Sequence, residues 1–153
     1  MTGETAFDLG GFLPYLLNQA AEATSRDFQA IYRAAYGFTR TQWRVLANLG
    51  KFGAMTARDI CRITHMDKTK VSRAVAGLEA GGYLTRAPSP GDRRAEILSL
   101  TAAGEAAFAD LGQRAIGYDH ALRRELGPDL ADQLDGLLRR LIARGGLDLP
   151  AED

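Results

Sequence analysis

The sequence has one cysteine, Cys61, and two histidines, His65 and His120. One thiol cannot close an internal disulfide and fits a reducing compartment. So few soft ligands, with no Cys-x-x-Cys, leave no metal site of recognisable spacing. No apolar run approaches the ~20 residues that a membrane-crossing helix needs. Residues 1–30 carry Glu4, Asp8 and Glu22 and no basic start ahead of an apolar core, so no secretory leader is expected. These absences predict a cytoplasmic chain with no membrane association. Catalytic signatures are missing as well. There is no G-x-S-x-G, no G-x-G-x-x-G and no phosphate loop, since Gly50-Lys51 lacks the upstream glycine. No nucleophile has a plausible base, so no enzyme and no cofactor are expected. Net charge is absent too, with 19 basic and 19 acidic residues.

What is present is an ordinary globular composition, 46% apolar and 25% charged over 153 residues. That is enough chain for one well-cored domain, or for a small domain with an assembly region. Residues 1–11 are small, polar and glycine-rich, and are expected to fray. A helix is predicted from about Phe12, with Pro14 in its first turn and Gly37 as its stop. Its apolar positions, among them Leu13, Leu16, Leu17, Phe28, Ile31 and Tyr32, recur at steps of three and four. So long a helix on so small a protein implies contact with something beyond its own core.

Thr39 and Gln42 read as a capping box for a short helix burying Trp43, Leu46 and Leu49. Thr56 and Asp59 start another in the same way, with Ile60, Cys61 and Ile63 inward. Asp67 caps a third, whose buried stripe is Val71, Val75 and Leu78, ending at Gly81-Gly82. Only then does the period change. Tyr83–Arg86 and Glu96–Leu100 look extended, joined by a Pro/Gly-rich turn over residues 87–92. Thr101 caps a helix broken at Gly127-Pro128. The last helix carries Leu130, Leu134, Leu137, Leu138, Leu141 and Ile142, close to a heptad seam. The fold class expected is mainly α with a small β-hairpin.

Neutrality hides an asymmetry. Residues 56–100 hold eight basic and five acidic side chains; the rest hold eleven and fourteen. Placement sharpens this. On the helix capped by Asp67, steps of ~100° per residue put Lys68, Thr69, Ser72 and Arg73 away from the buried stripe, with Lys70 at its border. The helix N-terminus adds positive partial charge suited to a phosphate. Two short helices and a tight turn, the second with such a face, form the helix-turn-helix arrangement for the major groove of DNA. The hairpin follows, with Arg93 and Arg94 at its tip, within reach of the backbone or the minor groove. Taken singly, an exposed arginine pair is an ordinary solvated turn. Its order and spacing behind a helix-turn-helix favour the DNA reading.

The pieces "TQWRVL", "DKTKVSRAVAGLE" and "GDRRAEILSLTAAG" together resemble the winged helix-turn-helix core of the MarR family of regulators, over residues 38–104. The first resembles the family's second helix, the next its recognition helix, and the last its wing and the start of the fifth helix. The resemblance implies a homodimer reading pseudo-palindromic duplex DNA, a repressor released by a small molecule. It divides the chain into an N-terminal arm and dimerisation helix (1–37), a winged helix-turn-helix domain (38–100) and dimerisation helices (101–153). It would put Thr69, Lys70 and Arg73 on base edges and nearby phosphates, and Lys68 and Ser72 on the backbone. Arg94, with Arg93 beside it, would enter the minor groove, and Asp92 would brace the wing arginines by an ion pair. Lys70 departs from the small hydroxylated residue frequent there, which bears on base preference.

The dimer would use the seam of Leu130, Leu134, Leu137, Leu138 and Leu141, although an intramolecular bundle could also bury it. Phe12, Tyr15, Leu16 and Trp43 are the candidates for a pocket taking a small aromatic effector; for Trp43 a plain core role competes. Cys61 is expected to be a packed structural thiol rather than a redox sensor. The competing function is a helical ligand-binding or protein-interaction dimer that does not bind DNA.

Overall fold

A computed structural model describes residues 6–147 and 149. The described chain divides within its fifth long helix into two compact units, the first ending at Gly112 and the second beginning at Gln113.

In the first unit, the segment expected to fray holds a single 3-10 turn at Leu9–Gly11, because the Asp8 carboxylate accepts from the Gly10 N–H at 3.0 Å. The rest of that expectation, residues 1–5, lies outside the described residues. Helix α1 (Leu13–Tyr36) follows, with proline in its first turn and Gly37 closing it at φ 70°. Its two ends differ. Phe28 and Tyr32 are buried, whereas Leu13, Leu16 and Leu17 are exposed. The apolar period therefore continues past the part of the helix that this chain covers.

Helix α2 (Arg40–Phe52) starts at the capping box: the Thr39 hydroxyl accepts from the Gln42 N–H, and the Gln42 side chain accepts from the Thr39 N–H. It buries Val45, Leu46 and Leu49, while Trp43 is only half-buried. A two-residue strand, β1 (Met55–Thr56), leads into α3 (Ala57–Thr64), again through a capping box between Thr56 and Asp59. Ile60 is buried, but Cys61 is half-buried and Ile63 is 38% exposed, so α3 is too short and too peripheral to bury all three.

Helix α4 (Lys68–Ala80) buries Val71, Ala74, Val75 and Leu78 along one stripe. The strands of the wing, β2 (Leu84–Ser89) and β3 (Asp92–Leu100), are longer than the sequence suggested. Ala87, Pro88 and Ser89 are paired residues, leaving Pro90-Gly91 as the turn, with an irregularity between Pro88 and Ser89. Proline is tolerated there because β2 is an edge strand. The hairpin is also part of a three-stranded antiparallel sheet in the order β1-β3-β2, with Met55 opposite Leu98 and Thr56 opposite Ile97.

Thr101 caps α5 (Ala102–Leu126) by accepting from the Gly104 N–H at 3.1 Å. The first turns of α5 bury Gly104, Ala107 and Leu111 into the core of the first unit. In the second unit, α5 continues from Gln113 and turns at Gly127 into α6 (Pro128–Arg144). Asp135 ties the pair, accepting from Arg123 at 3.3 Å and from Arg139 at 2.6 Å, with Asp119 on Arg123 at 2.9 Å. These two arginines hold the Asp135 carboxyl below its usual range.

Candidate nucleic-acid interface

The recognition-helix assignment depends on which face α4 leaves open. Its stripe at 71, 74, 75 and 78 is buried against α2 and α3, and Lys68, Thr69, Lys70, Ser72 and Arg73 are all exposed. Lys70, expected at the border of the stripe, is exposed with the rest. The three cations make no ion pair among the described residues, so their charge is not cancelled locally.

The N-terminus of α4 differs from expectation. The Asp67 carboxylate already accepts from the Thr69 N–H at 2.7 Å and from the Lys70 N–H at 3.3 Å. The same two bonds hold its pKa below the usual value for an aspartate. A phosphate arriving here would meet a carboxylate on the orphan donors rather than bare N–H groups. The positive character of this face therefore comes from the lysine and arginine side chains.

At the wing, Arg93 and Arg94 are exposed and flank the Gly91 turn (φ 86°). Asp92 does not form the expected ion pair with either guanidinium. Its Oδ1 accepts from the backbone N–H of Arg94 at 2.9 Å. The short aspartate side chain reaches the amide two residues on, the usual local bond of a turn aspartate. Asp92 thus fixes the turn backbone and leaves both guanidiniums free of ion pairs.

Between the two helices of the motif, His65 is the one non-glycine residue with positive φ among the described residues, at φ 57°, ψ 24°. Arg44 on α2 donates to the Thr64 carbonyl at 3.2 Å, satisfying an orphan acceptor at the end of α3. Neither feature was visible from periodicity. Arg58, exposed in the first turn of α3, is another unpaired cation on this lobe that the helical pattern did not single out.

The residues proposed for an effector pocket separate. Trp43 stacks on Tyr32 with ring centroids 5.8 Å apart and meets Phe28 edge-on at 5.4 Å. Phe12, the residue before α1, instead meets Phe7 edge-on, and it is exposed together with Tyr15 and Leu16 in the first turns of α1. Ring contacts thus tie Trp43 to the packed part of α1 and not to Phe12 or Tyr15. The seam leucines Leu130, Leu134, Leu137, Leu138 and Leu141 are all exposed, from 37% to 60%. Within the second unit, Leu134 and Leu138 also line a cleft of about 150 Å³ with Leu122, Leu126 and Ala131.

Comparison with known proteins agrees with this arrangement. The MarR family model matches residues 36–95. The MarR family transcriptional regulator SPO1453 from Silicibacter pomeroyi DSS-3 is 30% identical, with a TM-score of 0.77, covering 90% of this chain and 97% of that one. The chain belongs to the MarR family. It is a MarR-family transcriptional regulator whose α2, α3 and α4, with the sheet, form the winged helix-turn-helix. The multiple antibiotic resistance protein MarR of Salmonella typhimurium is 27% identical over 134 residues, 86% of this chain and 90% of that protein. BpsR of Bordetella bronchiseptica, a structure describing regulation of DNA binding by 6-hydroxynicotinic acid, is 26% identical with a TM-score of 0.75, covering 84% and 97%. Among the described residues of this MarR-family chain, no helix is long and apolar enough to cross a membrane.

Proposed function

We propose that the protein is a homodimeric repressor that binds pseudo-palindromic duplex DNA through α4 and the wing and is released by a small aromatic effector. The observation that carries this is the unpaired positive charge on one lobe. Lys68, Lys70 and Arg73 lie on the open face of α4, and Arg93 and Arg94 lie at a turn braced through its backbone. In this reading Thr69, Lys70 and Arg73 meet base edges and nearby phosphates, Lys68 and Ser72 hold phosphates, and Arg94 enters the minor groove. Residues 38–100 engage DNA, while 1–37 and 101–153 join the two copies. The exposed Leu130, Leu134, Leu137, Leu138 and Leu141 support that division, since five exposed leucines on one 17-residue helix need cover. The regulated DNA binding described for BpsR supports the effector. For this chain the effector would lie against Phe12, Tyr15 and Leu16, while Trp43, packed on Phe28 and Tyr32, belongs to the core.

Affinity measured at several salt concentrations, on duplex from beside the protein's own gene and on scrambled duplex, tests the DNA reading. Removing a phosphate contact lowers the slope of log affinity against log salt by ~0.9 and weakens all sequences alike. Removing a base contact costs ~1–3 kcal/mol on the preferred site. Arg94→Ala is expected to weaken binding broadly and to relax preference for a narrow, A/T-rich minor groove. Arg73→Ala is expected to show both effects. If neither substitution changes affinity or slope, the non-DNA-binding dimer becomes the better account.

A further inference from the structure

Of the eight basic side chains between residues 56 and 100, two are held in ion pairs, and they differ in kind. Arg62 pairs with Asp59 within its own helix at 3.5 Å. Arg86 is held by two carboxylates from two different elements: its Nε lies 3.2 Å from Glu79 Oε1 on the last turn of α4, and its Nη1 lies 3.5 Å from Glu96 Oε2 on β3. Arg86 itself is on β2, opposite Leu98. One guanidinium therefore joins the recognition helix to both strands of the wing.

We infer that Arg86 is not a DNA contact but the positioning residue that clasps the wing to the recognition helix. This rests on the DNA-binding reading above. Three facts of placement carry it. First, the chain between α4 and β2 is Gly81-Gly82-Tyr83, whose amides bond back to the Gly77, Glu79 and Leu78 carbonyls, so the backbone fixes only the base of β2 at the helix end and leaves the strand beyond it to side-chain contacts with α4. Second, beyond the Ala87–Ile97 rung, which β1 still supports through Thr56, the hairpin has only its own cross-strand pairs out to the Pro90-Gly91 turn, interrupted at Pro88/Ser89. Third, the planar guanidinium can meet two carboxylates at once, a task for which a lysine ammonium is a poor substitute. Glu79 and Glu96 are otherwise hard to explain, since two acids beside a DNA-binding surface repel phosphates. Exposed ion pairs contribute little to folding stability. Their loss should therefore be read in wing order and DNA affinity, and not in the melting temperature.

The expected sign separates this role from electrostatics. Glu79→Gln with Glu96→Gln removes two negative charges from a surface that meets DNA, and by charge alone must tighten binding. A clasp predicts the opposite: binding to the preferred duplex weakens roughly two- to tenfold, the range two exposed ion pairs can supply. The salt slope is expected to hold, without the drop of ~0.9 that one lost phosphate contact gives. Arg86→Gln is expected to match the double glutamine variant, and Arg86→Lys to recover only part of the loss. In the free protein, amide hydrogen exchange over residues 87–97 is expected to quicken by a similar factor in both variants, while α2 amides and the melting temperature hold.

Tighter or unchanged binding by the glutamine pair, or a drop of ~0.9 in salt slope for Arg86→Gln alone, would overturn the clasp and make Arg86 a phosphate contact. Unchanged exchange over 87–97 would overturn it as well. If the unmutated protein binds no duplex at all, the DNA-binding reading fails, and the exchange measurement still decides whether Arg86 holds the wing.

Discussion

Gly104 shows how one missing side chain sets the join between wing and fifth helix. A Cβ built there would run into the Tyr83 carbonyl oxygen, with the Leu100 Cβ at 3.2 Å. Alanine in a helix is ordinarily favoured over glycine by about 1 kcal/mol. Here the obstruction is backbone that cannot give way, so Gly104→Ala is expected to destabilise by about 1–3 kcal/mol, the cost of overpacking, in urea unfolding. A gain in stability would mean that Tyr83 and α5 stand further apart than described. His65 is the converse case, a side chain where the backbone favours none. A β-branched residue in the left-handed region costs about 1–2 kcal/mol, so His65→Val should lose that much, while His65→Asn should be close to neutral. Thermal melts of the two variants check it; equal stabilities would sink the assignment of strain to this turn.

Between elements, α1 is fastened to the start of α2 by Glu22, whose carboxylate accepts from Arg40 at 2.7 and 3.2 Å and from Arg26 at 2.9 Å. The hydrogen bonds from Arg40 and then Arg26 hold the Glu22 carboxyl down to about 2, from 4.5. Its folded value lies below its unfolded one, so its contribution is complete above pH 4.5 and fades as pH falls towards 2. Glu22→Gln is therefore expected to flatten the dependence of melting temperature on pH across that window, with a smaller change between variants at pH 2 than at pH 6. Curves that stay parallel would show the pair to be unimportant for stability. Pairings of this kind, between residues far apart in sequence, were not legible beforehand. What was legible was local: the capping boxes at Thr39 and Thr56, the cap at Asp67, the stop at Gly37 and the stripe of α4 each announce themselves within four residues. Strand β1 was hidden because two residues are too few to show alternation, and the outer wing because Pro88 and Pro90 look like loop. Depth of burial also escaped: Ile63 fits the helical period of α3 but is exposed.

For the whole molecule, exposed apolar surface is the feature that most needs explaining. Leu13, Leu16 and Leu17 on α1 and the leucines of α6 are exposed in the chain taken alone. A dimer gives them cover and makes stability depend on concentration. Leu134→Asp or Leu138→Asp is expected to give monomers or insoluble protein, read by light scattering; a monodisperse monomer of the unmutated protein at micromolar concentration would rule the dimer out. Cys61→Ala should leave DNA binding and its response to effector unchanged, and loss of a peroxide response in that variant would instead make the thiol a sensor. One residue bears on how this architecture can be rebuilt. Thr56 pairs with Ile97 in the sheet and, through its side chain, begins α3 by accepting from the Asp59 N–H at 3.1 Å. The wing is thus not a detachable part. A chimera that transplants residues 84–100 from a relative must bring the partners of positions 55 and 56 with it, or the graft will disturb a helix it never touches in sequence.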